Sequence, residues 1–410
     1  MSMKFDIFLS ICQNEVDGHI PTERTMFENF FSQVKLADDL GFKTAWLAET
    51  HLSCQVQKRN PAAVIPNFKG EIGLNTDVLQ LAHLVFSQTK QINIGSAIRN
   101  ILCNGGPLAH AEAVKTFLTL HSLHHKSDRL LELGFAAGRF PFSNRPYGIK
   151  PRNKTEEVAW PALNGRIFLQ ATEIFLRALK GEVIASKDIT PIELTRPLFR
   201  SDEDWNKVVD TFKNEFGASD PIDAIPIKSF WDFDEVGVIP FDAPLDYLRL
   251  TIGAHWAEAH ETANRYMPCG VFNLSITPPE VIEATHKRMK ETYHKDGGEW
   301  TRSCMPRTVL VFISDDPQLS VEENNKIARK KAKAANEAYW SAIQGTIDPK
   351  KIEMAVDNAL VGHPDQVLEQ MKERFDPEDR LMLWFDFNNH NNEDVCSSMK
   401  SFMEKVSPKV

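Results

Sequence analysis

Glu49-Thr50-His51 sets a carboxylate two residues ahead of an imidazole. Imidazole titrates near neutral pH and a neighbouring carboxylate can orient it, so His51 is the candidate proton-handling group and Glu49 its orienting partner. The bland alternative is a hydrogen-bonded structural histidine. His110, His121, His124 and His125 fall in one helical stretch, and His121 and His125 stand four apart, a spacing able to bind zinc. No H-E-x-x-H accompanies them and their helix is expected outside the site, so they read as structural or exposed and no metal is expected. Cys12, Cys54, Cys103, Cys269, Cys304 and Cys396 are scattered with no C-x-x-C pair, which fits a reducing, cytoplasmic setting rather than a disulfide framework or a zinc ribbon.

The polar candidates share a position, because each follows an apolar run of strand length. Gln13 follows Phe5–Ile11, Glu49 and His51 follow Thr44–Ala48, and Arg99-Asn100 follow Ile92–Ile98. Arg139 follows Leu130–Ala136, Ala254-His255 follow Leu248–Gly253, and Asn388-Asn389-His390 follow Leu381–Phe387. Runs at Gly270–Ser275 and Thr308–Ile313 complete eight strands. Between them lie helical stretches, among them Phe27, Phe30, Phe31, Val34, Ala37 and Leu40 on one stripe ended by Gly41, and others near 76–90, 107–126 and 164–181. A further helix is expected to start at Thr277-Pro278, with Thr277 as N-cap.

Eight strands alternating with helices predict a single (β/α)8 TIM-barrel domain over 1–410, whose active site lies at the C-terminal ends of the strands. A doubly wound open sheet is the alternative, but no G-x-G-x-x-G follows the first strand. The pattern lapses over 185–245, between the fourth helix and the fifth strand, in a segment holding Trp205, Trp231 and Phe233. It reads as an insertion across the barrel mouth with a hairpin over Ser229–Pro240.

Charge and hydropathy remove whole classes. Acidic side chains outnumber basic ones, 56 to 47, for a net charge of −9, which argues against nucleic-acid binding. The cluster Arg329-Lys330-Lys331 follows Glu322 and Glu323 and reads as a solvated helix face. No apolar stretch is long enough for a membrane helix, and the first residues read as a strand rather than a signal peptide. A soluble cytoplasmic protein is expected.

Trp46-Leu47-Ala48-Glu49-Thr50-His51, Ile94-Gly95-Ser96-Ala97, Pro107, Ala111-Glu112, Asp128-Arg129, Leu133-Gly134 with Gly138, and Val361-Gly362-His363-Pro364 together resemble the luciferase-like flavin monooxygenases. The resemblance covers nearly the whole chain apart from 54–75 and 185–245. It implies FMN at the barrel mouth, delivered reduced by a separate flavin reductase, and dioxygen as co-substrate. A small organic substrate would receive one oxygen atom, and a homodimer is implied. It also implies a cis peptide bond between Ala97 and Ile98 beneath the flavin ring. Ala97, Ile98, Ala136, Arg139, Gly253, Ala254 and His255 become cofactor-binding candidates, and Arg166 matches the family's phosphate-binding arginine. The bland alternatives are an exposed surface arginine at 166 and a tight packing position at Gly253.

Two departures bear on activity. The first of the paired histidines of light-emitting members is Thr50 here, and their reactive cysteine falls on alanine near Ala136. The resemblance leaves open a deazaflavin-dependent oxidoreductase on the same barrel and a non-catalytic flavin-binding partner subunit. A metal-dependent barrel hydrolase is the remaining rival.

Overall fold

The computed structural model describes residues 3–60, 63–123, 127–219, 221–274, 276–344 and 347–410. Nine parallel strands make one curled sheet: β1 (Lys4–Leu9), β2 (Thr44–Leu47), β3 (Asn93–Asn100), β4 (Leu131–Ala136), β5 (Leu248–Ile252), β6 (Cys269–Val271), β7 (Arg307–Ile313), β8 (Leu360–Gly362) and β9 (Arg380–Trp384). They stand in the order β6-β5-β4-β3-β2-β1-β9-β7-β8. Just past β6, Asn273 N donates to Pro306 O and Thr308 N donates to Asn273 O, each at 3.0 Å, which brings the end of β6 against the start of β7. The upper half of β7 pairs instead with β8. The arrangement is consistent with the expected barrel, with β8 as a strand that sequence reasoning did not assign.

Local chemistry explains the elements. Helix α1 (Glu23–Leu40) opens where Thr22 accepts from Thr25 N and closes at Gly41, whose φ of 85° suits glycine. Its Met26, Phe30, Val34 and Ala37 form the buried stripe. Asp38, also buried, accepts from the backbone N–H of Lys90, Gln91 and Ile92 at 2.7, 2.8 and 2.8 Å and so sets the entry into β3. Besides two one-turn helices at Cys54–Gln57 and Pro141–Asn144, the longer helices are α2 (Val78–Gln88), α3 (Gly106–Ser122), α4 (Lys154–Leu179), α5 (Asp202–Phe216), α6 (Ala257–Tyr266), α7 (Pro279–Thr292), α8 (Val321–Gln344), α9 (Pro349–Asn358), α10 (Pro364–Arg374) and α11 (Asn392–Ser401).

Inside the sheet, alternate residues form tiers. In the lowest tier Arg380 Nε reaches Asp6 Oδ2 at 2.6 Å, and its Nη1 and Nη2 reach the two Glu132 oxygens at 2.7 and 2.5 Å. Thr44 Oγ1 donates to Glu132 at 2.7 Å and Trp46 Nε1 donates to Asp6 at 2.8 Å. Burial opposes ionisation of Glu132, yet the Arg380 charge and the bonds from Arg380 and Thr44 hold it below the usual carboxylate range. Burial raises Asp6 to about 6 even beside Arg380. Above this tier pack Phe8, Trp46, Phe272 and Met382. Trp46 fits because residue 95 is glycine, where a Cβ would fall 2.6 Å from its ring.

Several expectations need correction. Helix α4 begins at Lys154 rather than near 164, with Asn153 as its cap, and α7 begins at Pro279 with Pro278, not Thr277, at the N-cap. No hairpin forms over Ser229–Pro240. The antiparallel pair is Ile192–Thr195 with Ala224–Ile227, and Val236 bridges to Ile184. The 185–245 segment is tied to the flanking helices, Gln170 Nε2 donating to Thr190 O at 2.9 Å and Lys115 Nζ to Val238 O at 3.0 Å. The last part of α8 packs on the loops after β2 and β4, where Ala342 and Ile343 meet Cys54, Phe68, Phe140 and Phe142. Ser275, read as the end of a strand, and His124 and His125 lie outside the described residues.

Replacing Arg380 with Met would leave two buried carboxylates without their cation. The expected loss of unfolding free energy is about 3–5 kcal/mol, read by guanidinium titration; a loss below about 1 kcal/mol would show that the ion cluster does not brace the ring.

Candidate active site

The candidates gather where the strands end. β3 gains one residue relative to β4 between Ser96 and Arg99, since Ser96 pairs with Leu133 and Arg99 with Phe135. Within that bulge the Ala97–Ile98 bond is cis, as expected. A bulge re-aims the side chains that follow it. Ala97 joins the interior cluster of Phe8, Trp46 and Trp384. Ile98 lies against Gly253, where a Cβ would stand 2.4 Å from Ile98 Cδ1 and 3.3 Å from Ala136 Cβ. Three expected cofactor residues from three strands thus adjoin in one small, apolar surface, and a Cβ at 253 would push the end of the Ile98 side chain aside.

Beside it lies a buried polar chain. Glu49 Oε1 stands 3.3 Å from His51 Nε2, while Oε2 accepts from Val78 N at 3.0 Å, capping α2, and lies 3.4 Å from Arg99 Nη1. Arg99 also reaches Asp77 Oδ1 at 3.2 Å and donates from Nε to His110 Nδ1 at 2.8 Å. Burial, then the Arg99 charge, lowers His110 to about 3, so its neutral ring accepts from Arg99 and donates from Nε2 to Cys103 O. His110 is therefore a second support behind Glu49, and Glu49 orients His51 while its other oxygen is committed to the scaffold.

The remaining candidates are spread around the rim. Arg139 is exposed, with Nη1 3.3 Å from Tyr339 Oη on α8. Ala254 is buried and its carbonyl accepts from His260 Nε2 at 2.8 Å, whereas His255 is exposed. Arg166 gives both terminal nitrogens to the two oxygens of Glu258 in the first turn of α6. The N-cap of α6 is Trp256, which offers no side-chain cap, so the leading N–H groups of the helix lack a side-chain acceptor there. Burial pushes the Cys54 and Cys103 thiols up to about 12, so neither provides a thiolate. Among the described residues no cluster of three or more metal-ligating side chains occurs.

Sequence reasoning missed Asp386. It ended the last strand at Phe387, whereas β9 stops at Trp384, which brings Asp386 to the strand end. Arg380, Met382, Trp384 and Asp386 form the inward series, which an alternation count with Leu381, Leu383 and Phe385 on the outer face would have found. Ser10 donates to Asp386 Oδ2 from its N–H at 3.1 Å and from its hydroxyl at 2.9 Å. Asp386 Oδ1 and Trp384 Nε1 are buried without hydrogen-bond partners, although the indole stands near enough to favour the ionised carboxyl. Burial raises Asp386 to about 6 despite these neighbours.

A cavity of about 680 Å³ is lined by Arg152, Phe212, Phe216, Ile225, Lys228 and Phe230 among others, beside the 185–245 segment. None of the proton-handling candidates lines it.

Known proteins give the geometry a context. Residues 3–184 match the family of luciferase-like monooxygenases. In structure the chain is similar to the monooxygenase RslO1 from Streptomyces bottropensis, with a TM-score of 0.65 at 17% identity over 99% of each chain. It is similar to the oxygenating constituent of 3,6-diketocamphane monooxygenase from the CAM plasmid of Pseudomonas putida, a type II Baeyer-Villiger enzyme in complex with FMN (TM-score 0.59, 15% identity, 100% of this chain and 99% of that one). An F420-dependent secondary alcohol dehydrogenase matches with a TM-score of 0.53 at 12% identity over 100% of both chains. At these identities the likeness is one of fold. No curated protein matches the chain.

Asp386 gives a test of the site's electrostatics. Its raised pKa favours the neutral acid in the folded state, so its contribution to stability is complete below roughly pH 4 and is lost as pH rises through about 6. Asp386→Asn keeps the shape and removes the titration. Between those two pH values the variant's melting temperature should fall less than that of the unaltered protein; parallel melting curves would reject the buried-acid assignment.

Proposed function

From the premise that residues 3–184 carry the luciferase-like monooxygenase pattern, we propose that this protein is a two-component FMN-dependent monooxygenase. It takes reduced FMN from a flavin reductase, and dioxygen, and oxygenates a small organic substrate. The observation that carries the reading is the adjoining of Ala97–Ile98, Ala136 and Gly253 at the strand ends, a small flat apolar surface suited to one face of a flavin ring. The rim fits the rest of that group: a guanidinium at Arg166, an exposed imidazole at His255 and the uncapped start of α6 form a donor set suited to a phosphate. A homodimer belongs to the same proposal.

When bound, reduced flavin supplies the electrons that activate dioxygen. The chain's own residues do the rest. Glu49 Oε1 accepts from His51 Nε2 and fixes the ring, leaving Nδ1 as the atom that takes or returns a proton. Arg99 and the α2 N-terminus hold Glu49 in place. The end of α8, packed on the loops after β2 and β4, excludes water. The departures at Thr50 and Ala136 remove the paired histidine and the thiol of light-emitting members, so the reaction proposed is oxygenation without light. The F420-dependent neighbour supports a second reading, hydride transfer with a deazaflavin on the same surface.

Two measurements separate these outcomes. Reduced FMN mixed anaerobically with the protein should bind, and its reoxidation on adding dioxygen should be slower than in free solution; reoxidation at the free rate would reject the monooxygenase. His51→Ala should leave flavin binding intact and lower substrate turnover by about 10²–10⁴-fold, with full turnover ruling out His51 as the proton carrier.

A further inference from the structure

We infer that Glu258 occupies the seat of the cofactor phosphate and sets how strongly the site prefers a phosphorylated flavin to one without phosphate. The inference rests on the flavin reading above and concerns a residue that the resemblance does not assign. Arg166 is largely buried, with 19% of its side chain exposed, and both of its terminal nitrogens are engaged by the two oxygens of Glu258. A guanidinium fork matches two oxygens of a carboxylate or of a phosphate, and here the carboxylate already fills it. Glu258 lies in the first turn of α6, so the partial positive charge of the helix start draws it to the same place. The hydrogen bond from Arg166, acting against partial burial, holds the Glu258 carboxyl below its usual range.

An incoming phosphate must therefore displace one negative charge from Arg166 and then sit near it. Glu258 is the more exposed partner, with 51% of its side chain open to solvent, so it is the one able to swing aside. Displacement and residual repulsion both weaken phosphate binding and leave the ring's own contacts untouched. The preference for FMN over riboflavin, which differs only by the phosphate, is accordingly small in this protein and is set by the residue at 258.

The test is a fluorescence titration of the full chain with oxidised FMN and with riboflavin, for the unaltered protein, Glu258→Gln and Arg166→Ala. Glu258→Gln should bind FMN about tenfold more tightly, the scale of one charge-assisted hydrogen bond, with riboflavin affinity unchanged. Arg166→Ala should bring FMN and riboflavin to nearly equal affinity. Unchanged FMN affinity in Glu258→Gln, or an equal shift for both flavins, would overturn the inference while leaving the flavin reading in place. Binding of neither flavin to the unaltered protein or to Glu258→Gln would overturn both.

Discussion

Everything above the floor of this curled sheet rests on one cation. Arg380 reaches across the interior to Asp6 on β1 and Glu132 on β4, and Thr44 and Trp46 on β2 bond to the same two carboxylates. Four strands are thereby held in one register by a single side chain. An isolated charge there would be prohibitively costly, and two acids sharing one guanidinium make the position directional as well as neutralised. Because side chains alternate along each strand, setting the bottom tier also sets which residues face inward two and four positions higher. Ser10 and Asp386 reach the mouth by that count from Asp6 and Arg380.

The mouth shows a second kind of constraint, in which small residues decide more than polar ones. Gly253 leaves room for the Ile98 side chain against β5, and the bulge after Ser96 turns Arg99 to Glu49, Asp77 and His110. One irregularity in one strand thus separates an apolar surface from a buried hydrogen-bonded chain. The ionisable groups are divided accordingly. Glu49 is spent mostly on the scaffold, whereas His51, attached to it by one bond, keeps a free ring nitrogen.

Much of this was legible in the sequence. Apolar runs bounded by turns locate buried parallel strands well, and all eight expected strands are present, because burial on both faces leaves few other compositions open. Residues 98, 136 and 253, named by the resemblance, adjoin because β3, β4 and β5 are neighbours in the sheet. Strand ends were harder to read. Phe385 and Phe387 prolong the apolar run past the last ladder bond, which hid Asp386. The pair Ile192–Thr195 and Ala224–Ile227 was passed over because it is short and holds Pro226, a residue that normally argues against a strand. Glu258 was invisible for another reason: it meets Arg166 from 92 residues away, and no local pattern announces an ion pair closed by the fold.

The placement of the thiols has a bearing on durability. Cys12, Cys54 and Cys103 lie in the loops after β1, β2 and β3, close to where an oxygen-activating reaction would be run, and burial keeps all three protonated. Hydrogen peroxide attacks the thiolate and spares the thiol, so escaping oxidant finds no reactive sulfur at these positions. Under the proposed oxygenation, peroxide leaking from the site would meet cysteines that are poor scavengers of it.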